Sequence, residues 1–187
     1  DYLFTHDRLS KDLGICTFKL IPTGVRKLHL EKLPIKRFLF KNGFCQLIKA
    51  VFCILFELRG IQPVYHGHLD SRDRQAMSEF SRDGWVRHFK MVAELLKTQN
   101  KVKGVMGLSW FYDPYLKEIS PSLNYLREIV IDNGGSLYYV GPNESAIRNA
   151  TLLSMKRKEL YEEGKYMPTN YLYIWPKKKL IQWAETA

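Results

Sequence analysis

A chain of 187 residues is long enough for one domain with a true core, and its 45% hydrophobic and 26% charged composition excludes a disordered chain. Lys and Arg number 29 against 19 Asp and Glu, a formal charge of +10. An anionic partner is therefore expected: nucleic acid, an acidic lipid surface, or a phosphate-bearing small molecule. Cys16, Cys45 and Cys53 form an odd set without CxxC spacing. That argues against a disulfide framework or a structural zinc site and fits a reducing, cytoplasmic setting.

The chain starts at Asp1, which leaves room for an upstream piece. Two glycosylation sequons, at Asn143 and Asn149, are read as chance. Residues 14–21 are expected as a strand stopped by Pro22, followed by a Thr23-Gly24 turn and a hairpin partner over 25–30, with Val25, Lys27 and His29 on one side. Lys19 to Lys49 holds eight basic residues and one acid, Glu31, interleaved with Phe38, Phe40 and Phe44. It runs into residues 44–58, where Ala50 to Phe56 is wholly apolar. A buried helix is the expectation there. The sharper alternative is a basic, apolar segment lying on an anionic membrane surface, which would make the protein membrane-peripheral; the same belt also suits nucleic acid. The segment is too short to span a bilayer.

Gly60 ends that helix, and Ile61 to Asp70 reads as a strand. His66, His68 and Asp70 alternate, so on a strand all three side chains leave one face. Acid–base use of His66 or His68, oriented by Asp70, is expected ahead of divalent-metal binding by the pair. The commonest fate of such histidines is structural. Residues 71–82 read as a loop, and Asp83 caps a helix to Thr98 with Trp85, Phe89, Val92 and Leu96 on one face.

The central stretch is Lys103 to Pro114. Val105, Met106, Leu108, Trp110, Phe111 and Tyr112 suit a doubly buried strand. Gly104 and Gly107 inside it signal close approach of another group. The strand delivers Ser109, Trp110, Tyr112 and Asp113 to one edge as candidate ligand-binding residues, and Asp113-Pro114 stops it. A helix over 115–130, interrupted at Ser120-Pro121, leads to the Asp132-Asn133-Gly134-Gly135 turn and a strand over 136–140. Gly141-Pro142-Asn143-Glu144-Ser145 then opens a long helix to Glu163, closed by Gly164. Backbone amides at that start, with Asn143, Ser145 and Arg148, are a candidate phosphate site; Asn143 as a plain N-cap is the competing use. Lys156-Arg157-Lys158, backed by acidic residues, reads as a solvated face. A last strand over 169–175 and a tail helix over 180–184 complete the chain.

The order from Ile61 is strand, helix, strand, helix, strand, helix, strand. It predicts an α/β or α+β layered domain over 61–187, with a mixed or mainly parallel sheet flanked by helices, and a basic part over 1–60 packed on it. Ligands of such sheets sit beyond strand ends, so the three polar strand ends are expected to converge. No Walker loop, Rossmann fingerprint, GxSxG or HExxH is present.

In element order, residues 61–175 resemble GNAT-type acyltransferases. The resemblance implies acyl-CoA bound at a splayed central strand pair, with backbone amides at a helix start on the pyrophosphate. The family's Arg/Gln-x-x-Gly-x-Gly/Ala loop is absent here, and residues 141–145 have a different glycine spacing, so no family residue is transferred. The expected activity is transferase chemistry on a small molecule with an anionic co-substrate. The alternative is a non-enzymatic basic protein binding nucleic acid or an acidic membrane.

Overall fold

Strand β1 (Ile21–Thr23) and strand β2 (Arg26–Lys32) form a hairpin around Gly24, whose φ of 75° is the left-handed conformation such a turn requires. In the computed structural model, which describes residues 19–69, 73–152 and 154–187, this hairpin is the edge of a six-stranded sheet. Pro22 lies inside β1 rather than ending it. An edge strand tolerates the missing N–H. The remainder of the strand expected over 14–21 lies largely outside the described residues.

The sheet continues with β3 (Pro63–His68), β4 (Gly104–Ser109), β5 (Ser136–Gly141) and β6 (Asn170–Pro176), in the order β1-β2-β3-β4-β6-β5. The architecture is α/β, with one mixed sheet flanked by helices. It is not mainly parallel: among the described residues only β3 and β4 run parallel. The reason is β6, which enters between β4 and β5 and runs antiparallel to both.

Strand periodicity sorts the core onto two faces. Tyr173 and Trp175 of β6 join Tyr65, Val105 and Leu28 under helix α4 (Arg82–Thr98), with Trp85, Phe89, Val92 and Leu96. Helix α9 (Lys177–Thr186) covers the same face through Leu180. Leu172 and Ile174 point the other way, with Val64, Met106 and Tyr138. Helix α1 (Ile35–Phe38) brings Phe38 to that face, and helix α2 (Gly43–Phe52) with the π-helical turn Cys53–Glu57 brings Ala50, Cys53 and Ile54. Burial of each large apolar side chain in these layers is worth roughly 1.5–3 kcal/mol. α4 starts two residues earlier than expected because the N-cap is Ser81, whose Oγ accepts the N–H of Gly84, and not Asp83.

Three expectations are corrected. α2 is not a buried helix: Phe44, Ile48, Val51, Phe52, Leu55 and Phe56 form an exposed stripe, with Phe44 at 72% and Phe56 at 68% of full exposure. The wholly apolar run has two faces, and the sheet offers contact for only one. β4 ends at Ser109, where the serine Oγ accepts the N–H of Phe111 and the chain tightens into a 3₁₀ turn, Trp110–Tyr112. The long helix from residue 144 is two helices, α7 (Glu144–Thr151) and α8 (Met155–Glu162), because Ser154 recaps the chain on Arg157 N–H. Short helices α3 (Arg74–Ser78), α5 (Leu116–Ile119) and α6 (Tyr125–Ile131) fill the connections. No helix among the described residues is long and apolar enough to cross a membrane.

His88 of α4 is fully buried against the hairpin. Thr23 Oγ1 donates to Arg26 O at 2.9 Å, so His88 Nδ1–H is the donor toward Thr23 Oγ1 (2.8 Å) and Thr23 O (3.1 Å). Burial, and then the nearby Arg26 charge, push His88 down to about 3. The unfolded chain takes up this proton near pH 6.5, while the native state refuses it until far lower pH. Stability from this group is therefore complete at neutral pH and lost as pH falls below about 6.5. Between pH 7 and 5 the loss from His88 is expected to reach about 2 kcal/mol. Urea unfolding at both pH values should show it, and His88→Gln should flatten the difference.

Candidate functional site

The parallel ladder of β3 and β4 pairs Tyr65 with Val105 and His66 with Met106, and Lys103 N–H donates to Pro63 O (3.0 Å) at its start. Beyond that point the strands part. Arg26 of β2 reaches into the gap. A Cβ on Gly67 would stand 3.0 Å from Arg26 Cδ, and a Cβ on Gly107 would stand 2.4 Å from Arg26 Nη1. At Gly107 the Tyr173 ring is nearly as close, with Cε1 2.5 Å from that Cβ, so the arginine and the tyrosine together exclude a side chain there, while at Gly67 the arginine leaves one little room. Gly104 meets a different neighbour, since its Cβ would lie 2.6 Å from Trp175 O.

Arg26 is 2% exposed. Its guanidinium donates from Nη2 to Tyr112 Oη (3.1 Å) and from Nη1 to Tyr173 Oη (3.3 Å) and Gly67 O (3.4 Å). It also sits 4.4 Å from the centre of the Trp85 ring, a cation–π contact. All these partners are neutral. No carboxylate pairs with Arg26 among the described residues.

A cavity of about 440 Å³ opens where the strands part. The three polar strand ends all contribute to it: His66 and His68 from β3, Ser109, Trp110 and Phe111 after β4, and Asn143 and Ser145 after β5. Arg26 and Asn170 complete its floor, and Arg157 of α8 its side. Of the remaining sequence candidates, Asp70 lies outside the described residues. Arg148 is exposed on α7 and does not line the cavity. Tyr112 and Asp113 do not line it either. Tyr112 is fully buried on Arg26. Asp113 accepts the backbone N–H of Tyr115 (3.0 Å) and Thr169 (3.2 Å), which ties the exit of β4 to the entry of β6. Burial raises its pKa, against the pull of those two amides. Asn143 Oδ1 is engaged as the N-cap of α7, on Ala146 N–H at 2.7 Å.

Two groups at this end of the molecule were not singled out from sequence. Arg157 sits in a charged run that reads as a solvated face, yet it is only 9% exposed. Its Nε donates to Ala150 O (2.6 Å), its Nη1 to Ser120 Oγ (2.9 Å), and its plane lies 5.0 Å from Trp110. The other is the pair His29 and Glu31. Antiparallel register sets His29 opposite His66, and His68 follows on the same face. Ring centres are 5.3 Å apart for His29–His66, 4.7 Å for His29–His68 and 4.2 Å for His66–His68. Glu31 Oε2 lies 2.5 Å from His66 Nδ1 and 3.3 Å from His29 Nε2. The signal for it was a second period-two pattern, His29-x-Glu31, whose partner strand is distant in the chain.

The His68 ring is lowered to about 4 by partial burial among its neighbours and then by His66, although part of the residue faces solvent. His66 is lowered too, by burial first, against its hydrogen bond to Glu31. Burial works to raise Glu31, but the His66 hydrogen bond and the histidine charges outweigh it, and the net direction is down. At neutral pH the wall thus presents a carboxylate holding a neutral His66 by Nδ1–H, with Nε2 left as a lone pair.

Comparisons of the chain with protein-family models, with curated proteins and with solved structures found no match.

The cavity thus has two cationic sides, a histidine wall and an aromatic lining. Such a site can hold an anionic organic molecule. The placement of Tyr112 makes a separate expectation. Tyr112→Phe leaves a buried Arg26 N–H without an acceptor and should cost about 1–3 kcal/mol in urea unfolding, with the cavity lining itself unaltered.

Proposed function

We propose that the protein is a small-molecule transferase that binds an anionic, phosphate- or carboxylate-bearing co-substrate in the strand-end cavity. Acyl transfer from an acyl-coenzyme A is the chemistry the layout supports best. The observation that carries this reading is the pairing of a parting parallel strand pair with two buried guanidiniums, Arg26 and Arg157, on the wall of the cavity. A guanidinium fork matches carboxylate and phosphate oxygens, and low dielectric strengthens the attraction. Nη2 of Arg157 has no protein partner among the described residues and is free to donate. The GNAT-type resemblance places acyl-CoA at just such a splayed pair. This chain lacks that family's glycine loop, so the phosphate-holding role falls to the arginines. The aromatic side, Trp110 and Phe111, offers apolar area for the organic part of the ligand.

Isothermal titration with coenzyme A, acetyl-coenzyme A and pyrophosphate tests this. One molecule of coenzyme A per chain is expected to bind. Asn149→Trp, on an exposed position at the cavity mouth, should weaken it at least about tenfold, or about 1.4 kcal/mol. Absence of binding by all three anions contradicts the reading.

A second reading, compatible with the first, concerns the exposed stripe of α2. Phe44, Ile48, Val51, Phe52, Leu55 and Phe56 follow helical spacing, and exposed Phe40 extends the patch. Lys36, Arg37, Lys41, Lys49 and Arg59 are all exposed around it. Glu57, the one acid of the segment, is paired with Lys179. An apolar face inside a ring of cations fits an anionic bilayer surface. Aliphatic Ile48, Val51 and Leu55 give nothing to a phosphate backbone, which favours lipid over nucleic acid. The protein should sediment with vesicles containing phosphatidylserine and not with pure phosphatidylcholine vesicles. Phe44→Glu with Phe52→Glu should abolish sedimentation; unchanged sedimentation of that variant contradicts this use of the helix.

A further inference from the structure

The three histidines on the sheet face of α2 are not core filling. His29 and His66 are half-buried and His68 is exposed. Mutual contact of three imidazoles brings no apolar burial that a leucine would not supply better. The contact therefore calls for another account.

We propose that His29, His66 and His68 form a binding site for one divalent transition metal of the zinc class, with Glu31 as the carboxylate that orients His66. One nitrogen from each imidazole can be chosen so that all three lie within 4.8 Å of one another. A tetrahedral ion with bonds of about 2.0–2.1 Å needs donor nitrogens roughly 3.3 Å apart. Rotations about χ1 and χ2 of exposed His68 and half-buried His29 would supply the difference, with His66 held in place by Glu31. The register fixes the rest. His29 faces His66 across the β2–β3 ladder, and His68 stands two residues along on the same side.

Glu31 is the second, independent observation. Its Oε2 holds His66 Nδ1 at 2.5 Å. A ligating histidine needs its other ring nitrogen tied down in this way, so that the lone pair is on the correct atom and pointed at the ion. The donor chemistry selects the metal. Three imidazoles without thiolates suit Zn(II), Co(II), Ni(II), Cu(II) or Fe(II), and exclude Ca(II) and Mg(II), which take oxygen ligands. Three protein ligands leave a fourth position open. His66 and His68 line the cavity, so a water or an anionic ligand would complete the set from that side. This inference goes beyond the anion site and stands without it, since it concerns the metal alone.

The test uses the full chain stripped with a chelator. Zn(II) is titrated calorimetrically and Co(II) by visible absorption. One ion per chain is expected, with the strong d–d bands of four-coordinate Co(II). His29→Ala and His68→Ala should each weaken uptake at least about 100-fold, and Glu31→Gln about tenfold. Zn(II) should raise the Tm of the wild type and leave the His29→Ala/His68→Ala variant unmoved. Absence of saturable one-to-one uptake, or uptake equal in wild type and double variant, overturns the proposal. Should the double variant fail to fold by circular dichroism, the wild type decides. Co(II) must then broaden the NMR imidazole resonances of His29, His66 and His68 first; broadening confined to other residues overturns the site.

Discussion

A guanidinium buried to 98% beside neutral partners is the constraint on which this end of the molecule depends. The exposure of Arg26 is 2%. Removing a cation from water is expensive unless hydrogen bonds and charge replace the lost solvent. Here two tyrosine hydroxyls, one carbonyl and the face of Trp85 make up part of that loss. They come from α4, β3, β6 and the turn after β4, so the arginine gathers four elements around one side chain. The two nearest strands must forgo side chains at Gly67 and Gly107 to admit it, and the ladder between them stops there. The strand gap and the positive floor of the cavity thus have one cause.

The rest of the site follows from what surrounds that gap. On the α4 side it is hydrophobic, and a surrounding of low polarity strengthens the field of the cation. On the other face β2 and β3 carry the histidine wall, in which burial lowers His66 and His68 and Glu31 orients His66. The positive floor and the histidine wall lie on opposite sides of the β3 backbone. An anion in the gap would meet donors from one face and lone pairs, or an ion held by them, from the other. The exposed apolar stripe of α2 and the turn after it lies on the helical cover of the histidine-bearing face, whose inner side packs Ala50, Cys53 and Ile54 with Val64.

Local chemistry made several parts legible in the sequence. Gly164 closes α8 with a left-handed φ of 69°, and the alternation of Leu172, Tyr173, Ile174 and Trp175 divides faithfully between the two cores; the central strand, by contrast, ends at Ser109, ahead of Asp113-Pro114. Gly107 was a correct sign of close approach, though sequence alone could not say that an arginine was the neighbour. What stayed hidden depends on pairing between distant segments. Arg26 looked like one more member of a basic belt, and Arg157 like a member of a solvated run, because burial of a cation is decided by tertiary surroundings. His29 and Glu31 acquire meaning only through the β2–β3 register. The apolar run of α2 misled for the opposite reason: hydrophobicity on every side of a helix does not tell which side the sheet will cover.

The most direct measurement is the change in Tm caused by pyrophosphate in wild type and in Arg26→Met. Methionine fills much of the same space without charge; because Tyr112 and Tyr173 lose this donor, each protein is compared with its own Tm in the absence of pyrophosphate. The account predicts a folded variant whose Tm no longer responds to pyrophosphate, against a clear rise for the wild type. An equal rise in both proteins would contradict it, because the buried guanidinium would then have no part in holding the anion.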